Sequence, residues 1–220
     1  MSLTYYEIAV IAFTSLVFLG LLLISVVRGG RDDHRPGNYS PHVTVIVPCR
    51  GGKDLTLERN LRSLVSQDYG GDYRVIAVVD SLDDPAVETI RRVGLELMVS
   101  DARCEACSGK VRAIATVLER VRSEVYVFAD SDAEMPPNWL RDLVAPLGDS
   151  ETGLSTTFPP IFYPMGGFWS HVKMAWGLVG MGLMESRITR FGWGRFTCVQ
   201  VRDNGGRGSL SSSSQVSLTI

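Results

Sequence analysis

The chain has 220 residues, with 22 basic against 24 acidic side chains, 45% hydrophobic residues and a formal net charge of −2. Near-neutrality excludes a nucleic-acid binder that works by displacing counterions, and the apolar content excludes a disordered chain. Four cysteines are too few for a secreted disulfide scaffold, and the length suits one globular domain of ordinary size.

The mean hydropathy of +0.10 conceals an uneven distribution. Ile8 to Val27 is an uncharged run rich in Leu, Val, Ile and Phe. As a helix rising about 1.5 Å per residue it matches the roughly 30 Å hydrocarbon core of a bilayer. Tyr5 and Tyr6 stand where an interfacial aromatic belt would lie, and Arg28 and Arg31 follow the run. Only Glu7 is charged before it, so the positive-inside rule predicts an outside N-terminus and a cytoplasmic bulk. A cleaved signal peptide would need a basic start, a shorter apolar core and a small-residue cleavage site, and Ser25-Val26-Val27-Arg28 is a poor one. Residues 1–27 are therefore expected to form a retained transmembrane anchor. Residues 28–41 (RGGRDDHRPGNYSP) read as a polar linker. Neither His34 nor His42, in and beside it, is assigned a role.

Short apolar runs then alternate with amphipathic stretches. Strands are expected at Val43–Pro48, Tyr73–Val79, Leu95–Val99, Glu124–Ala129 and Gly153–Phe158. Helices are expected at Leu55–Ser66, Pro85–Val93, Lys110–Val121 and Pro136–Leu147. Such alternation, with continuously apolar strands, predicts an α/β fold with a mostly parallel, Rossmann-like sheet covered by helices on both faces. Ligands bind beyond the carboxyl ends of such strands, so the chemistry should lie there.

The first strand runs into Pro48-Cys49-Arg50-Gly51-Gly52, a loop where backbone can approach a ligand. It matches neither a dinucleotide fingerprint nor a phosphate loop, which also argues against a nucleotidyltransferase. The second ends in Asp80, whose carboxylate can accept hydrogen bonds from a base or ribose. Asp83 or Asp84, before Pro85, suits helix capping instead. The fourth ends in Asp130-Ser131-Asp132, two carboxylates at i, i+2 that would be costly without a cation or strong hydrogen bonds. Oxygen ligands of this kind suit Mg²⁺ or Mn²⁺ bridging to substrate phosphates, and Glu134 adds charge nearby. Lys110, in Ser108-Gly109-Lys110 at a helix start, would suit a phosphate oxygen. Cys104-Glu105-Ala106-Cys107 has no second pair and reads as free cytosolic thiols.

Together the stretches VTVIVPCRGG, LERNLRSLVSQDYGGDYRVIAVVDSLDDPAV, SGKVRAIATVLERV and VYVFADSDAEMPPNWLRDLVAPL resemble the family 2 glycosyltransferases, and within them the ceramide glucosyltransferase-like group. The resemblance covers residues 43 to about 160. It implies a GT-A fold, a UDP-sugar donor, a divalent cation, and transfer of a hexose, glucose by this likeness, to a lipid acceptor with inversion. By position, Asp80 looks like the aspartate that contacts uracil, and Asp130 and Asp132 like the D-x-D pair, with Asp132 the direct metal ligand. Lys110 looks like the lysine of a Lys-x-x-Asn-type segment whose Asn is not matched here. Pro48 and Arg50, in the first motif, join the donor-binding set.

The family pattern continues with an acidic general base and an Arg-Trp segment, and neither is found here. The run Met174–Met184 is too short to span a membrane, and Trp169, Trp176 and Trp193 suit either aromatic packing or a lipid-facing surface. From Arg195 the composition departs from the pattern, with a four-serine run in the tail. The expected division is therefore a donor-binding domain at 42–194, incomplete, and an atypical tail at 195–220, with the reading frame interrupted near 194. The alternative to an active enzyme is a truncated or non-catalytic product that binds a nucleotide sugar without transferring it.

Overall fold

The computed structural model describes residues 4–28, 39–51, 55–103, 107–150, 152–157 and 196–200. Most of the linker, Gly52, Cys104, the Met174–Met184 run, Trp169, Trp176, Trp193 and the serine-rich tail lie outside the described residues. The chain divides into two units, residues 1–33 with 158–192 and residues 34–157 with 193–220.

In the first unit, helix α1 covers Tyr5–Arg28. Thr4 caps it: its backbone N–H and hydroxyl both donate to the Glu7 carboxylate at 2.8 Å. Ile8, Ile11, Phe13, Leu16, Leu19 and Leu23 are all exposed. The side chains at 10, 21–22 and 24–28 are outside the description. Among the described residues no helix is long and apolar enough to cross a membrane.

The second unit holds a six-stranded mixed sheet, in the order β3-β2-β1-β4-β6-β5. Strands β1 (Val43–Pro48), β2 (Tyr73–Val79), β3 (Glu96–Val99) and β4 (Val125–Ala129) are mutually parallel. β5 (Leu154–Thr156) and β6 (Phe196–Gln200) pair antiparallel with each other, and β6 pairs antiparallel with β4. The helices are α2 (Leu57–Val65), α3 (Ala86–Val93), α4 (Gly109–Arg120) and α5 (Trp139–Val144), the last continued by a 3₁₀ turn at Ala145–Gly148.

Alternation along the strands divides the core into two layers, because successive side chains point to opposite faces. Val43, Val45 and Val47 of β1, Val75, Ala77 and Val79 of β2, and Val125 and Val127 of β4 pack with α2, α3 and α5. Ile46, Ile76, Val78 and Tyr126 face the other way, onto Ala113, Val117 and Val121 at α4. Both faces are thus covered, which is why the strands read as continuous apolar runs.

Several details depart from expectation. β6 lies inside the sheet, between β4 and β5, although the pattern was expected to end at Gly194. Its sequence FTCVQ is a sound strand: Thr197 and Cys198 are buried, and the Cys198 thiol contacts the Leu143 carbonyl at 3.3 Å. Five residues suffice for an inserted strand, and the polar tail behind them masked the signal. The expected helix at Pro136–Leu147 shrinks to α5 plus the 3₁₀ turn, because Pro136, Pro137 and Pro146 limit regular helix. Cys107 is disulfide-bonded rather than a free thiol, while Cys49 and Cys198 are free and buried.

One buried hydroxyl ties α4 to the loop after β3. Thr116 has no exposed surface, donates to the Arg112 carbonyl at 3.0 Å, and accepts from the N–H groups of Asp101 and Ala102 at 3.1 Å. Thr116→Val keeps the shape and strands these amides. Urea unfolding should report a loss of about 1–3 kcal/mol, the usual cost of buried donors left unpaired.

Candidate functional site

The register of the parallel strands gathers the candidate residues at one sheet edge. Pro48 faces Val78 across β1–β2, and Ile46 faces Phe128 across β1–β4. Asp80 and Asp130 therefore both emerge two residues beyond a paired position, on either side of the loop that follows β1. Cys49 donates its N–H to the Val78 carbonyl at 2.7 Å, so that loop starts alongside the end of β2.

The charged groups there are paired. The Lys110 ammonium meets Asp130 Oδ1 at 2.5 Å, with both side chains half-buried. Arg112 donates from Nη2 to Asp80 Oδ1 at 3.1 Å and from Nε to Ser100 Oγ at 3.2 Å. Arg50 is 85% exposed and reaches Asp80 only at 3.9 Å. Such an exposed pair contributes little stability, which leaves the Arg50 guanidinium available to reorient. Asp132 is exposed in the turn that follows β4, and Glu134 pairs with Arg59 at 3.1 Å, not with the acidic pair.

Lys110 and Arg112 both sit in the first turn of α4, after the N-cap Ser108, whose hydroxyl accepts from the Val111 N–H at 3.4 Å. Cations are disfavoured at that end of a helix by its dipole. Here the carboxylates of β2 and β4 offset that repulsion. Arg112 was not singled out from the sequence, although a second cation in an N-terminal turn with no acidic residue was a usable signal.

Asp84 takes the structural role expected of the Asp83–Asp84 pair. It accepts from the Ala86 N–H at 2.8 Å, at the start of α3, and from the Gly51 N–H at 2.7 Å. A Cβ on Gly51 would lie 2.5 Å from Asp84 Oδ1 and 2.7 Å from Pro85 Cδ, so this close approach requires glycine. The Cys49 thiol is pushed up to about 12, by burial first and the Asp84 charge second. It is therefore no nucleophile near neutrality.

Asp130 and Asp132 supply two oxygen-bearing groups, and no cluster of three or more His, Cys, Asp or Glu able to hold a metal occurs among the described residues. That donor set fits a cation such as Mg²⁺ or Mn²⁺, which takes one or two carboxylates and completes its shell with water and phosphate oxygens. It does not fit a metal that needs a protein cage.

Residues 7–178 match the glycosyl transferase family 21 description. The chain belongs to that family. The expected numbering was family 2, and glycosyltransferase is the part common to both. An N-acetylglucosaminyltransferase of Neorhizobium galegae is 31% identical over 119 residues, 51% of this chain and 27% of that protein. One of Bradyrhizobium elkanii is 29% identical over 128 residues, 56% of this chain and 68% of that protein. The match thus spans about a quarter of the first relative. Among solved structures, a mannosyltransferase from Pyrobaculum calidifontis in complex with GDP-Man and Mn²⁺ superposes with a TM-score of 0.58 at 23% identity, covering 86% of this chain and 55% of that one. Glucosyl-3-phosphoglycerate synthase from Mycobacterium tuberculosis with UDP gives 0.51 at 17% identity, covering 76% and 62%. These likenesses establish a GT-A glycosyltransferase fold.

The buried thiol yields a direct check. At about pH 8 iodoacetamide should leave Cys49 and Cys198 of the native chain unmodified for hours, since thiolate is the reactive form. Burial pushes the Cys198 thiol up to about 12 as well. Both should be alkylated at once in denaturant, as read by peptide mass. For both thiols the folded value lies above the ordinary 9, so stability should fall as pH rises from there towards about 12.

Proposed function

We propose that this chain binds a nucleotide-sugar donor through a divalent cation and acts as a hexosyltransferase on a lipid acceptor, with inversion. The observation that carries this reading is the convergence of Asp80, Lys110, Asp130 and Asp132 at one carboxyl edge of the sheet. Family membership and the relatives' names support transfer of a sugar.

In this reading Asp80, oriented by Arg112, accepts a hydrogen bond from the uracil of UDP. Pro48 and Arg50 border the base and ribose. Asp130 and Asp132 hold the cation, whose chemistry when bound is to neutralise the diphosphate leaving group. Lys110, already against Asp130, turns its ammonium to a phosphate oxygen, and the positive end of α4 adds to the attraction for the anion. The ceramide glucosyltransferase-like motifs favour glucose as the transferred sugar. The names of the rhizobial relatives favour N-acetylglucosamine as a second reading. Competition between the two UDP-sugars for UDP binding separates them.

The uncharged run Ile8–Val27 and its flanking Tyr5, Tyr6 and Arg28 support a further part of the proposal: a single membrane anchor with the donor-binding unit on the cytoplasmic side. Alkaline carbonate should leave the full chain in the membrane pellet, and its release into the supernatant would refute the anchor.

Calorimetry with UDP and Mn²⁺ tests the site. Asp132→Ala should weaken Mn²⁺-dependent UDP binding by at least about 100-fold, the scale of losing a metal-held charge contact. Unchanged binding would overturn the metal assignment. Release of UDP in the presence of a lipid acceptor then separates an active transferase from a chain that only binds its donor.

A further inference from the structure

The acidic turn after β4 has no regular structure of its own, from Asp130 through Asn138. It nevertheless follows a defined path, because one side of α2 grips it. The Asn60 side-chain amide donates to the Ser131 carbonyl at 3.0 Å and to Thr56 Oγ1 at 3.1 Å. The Ser63 hydroxyl accepts from the Met135 N–H at 2.9 Å while donating to the Asn60 carbonyl at 2.6 Å. Gln67, just past the end of α2, donates to the Pro136 carbonyl at 3.0 Å and accepts from the Leu140 N–H at 2.9 Å. The Asp68 N–H adds a bond to the Pro137 carbonyl at 2.7 Å.

Asn60 and Ser63 lie at i, i+3 on α2, and Gln67 follows just past its end. Asn60 is 2% exposed and Gln67 9%. Asn60 shares the buried side of α2 with Leu57, Leu61 and Leu64, where an apolar residue would be ordinary. A buried amide is tolerated there because its bonds are made.

We infer that Asn60, Ser63 and Gln67 are positioning residues that aim the Asp130 and Asp132 carboxylates at a common cation. The argument turns on Ser131. Its carbonyl belongs to the peptide joining Ser131 to Asp132, so holding that oxygen fixes the plane from which Asp132 departs. It also fixes the direction in which the chain leaves Asp130. Ser63 and Gln67 pin the stretch behind, which stops the turn from swinging as one piece. A held peptide between carboxylates at i, i+2 limits the directions in which they can point, which favours their meeting at one ion. This inference rests on the metal reading of the acidic pair.

The test measures two affinities in the full chain by titration calorimetry: that for Mn²⁺ at saturating UDP, and that for UDP at saturating Mn²⁺. Asn60→Asp keeps the size and removes the donor. Ser63→Ala removes the Met135 acceptor at a half-buried site and guards against misfolding of the Asn60 variant. Each should weaken apparent Mn²⁺ affinity by about tenfold, the scale of one buried hydrogen bond, while UDP affinity in excess Mn²⁺ changes less than about twofold. Ser63→Thr, which keeps the hydroxyl, should restore Mn²⁺ affinity. If both affinities fall together, or neither moves, the positioning role is refuted. A wild-type chain whose UDP binding ignores Mn²⁺ would instead overturn the metal reading itself.

Discussion

Strand β1 is hydrogen-bonded along both edges, to β2 and to β4, and Val43, Val45, Ile46 and Val47 have no exposed surface. Everything at the candidate site depends on that pairing. A parallel register slipped by one residue would turn the apolar set of a strand to the wrong face, so burial on both sides locks it. With the register locked, the ends of β2 and β4 stand level beside the loop after β1. Asp80 and Asp130 are neighbours for that reason, although 50 residues of sequence separate them.

The charges at this edge are arranged against local preference. Lys110 and Arg112 occupy the first turn of α4, where the helix dipole repels cations, and each is matched by a carboxylate from a different strand. The arrangement leaves cations and anions at this edge in near balance. Consistency across levels is broken here and restored by partners, as is common where a fold carries chemistry. The fold itself is shared with glycosyltransferases holding different nucleotides, GDP-Man in one and UDP in another. A shared fold therefore does not by itself specify which nucleotide is bound.

Much of this was legible from sequence because the strands are strongly apolar and the breaks between them well marked. β1 and β2 begin and end where the pattern predicts, and β4 differs by one residue. Asp80, Lys110, Asp130 and Asp132 stood out as candidates since each follows an apolar strand or opens a helix. β6 did not, because a strand inserted from distant sequence carries only five residues of signal beside a polar tail. Asn60 and Gln67 were equally hidden. A polar residue on a helical stripe looks like a defect until the turn it holds is seen.

Composition began as a nearly neutral chain with its hydrophobicity unevenly spread. By itself the sequence determined the α/β alternation, the buried strands, the uncharged N-terminal run and the acidic pair, all of which depend on neighbours within a few residues. Tertiary structure alone decided which carboxylate meets which cation, that β6 completes the sheet, and that α2 holds the acidic turn. Those outcomes depend on contacts between residues far apart in the chain, such as Asn60 with Ser131 and Arg112 with Asp80. No local pattern encodes such distances, because they exist only once the sheet's register and the helices packed on it are in place.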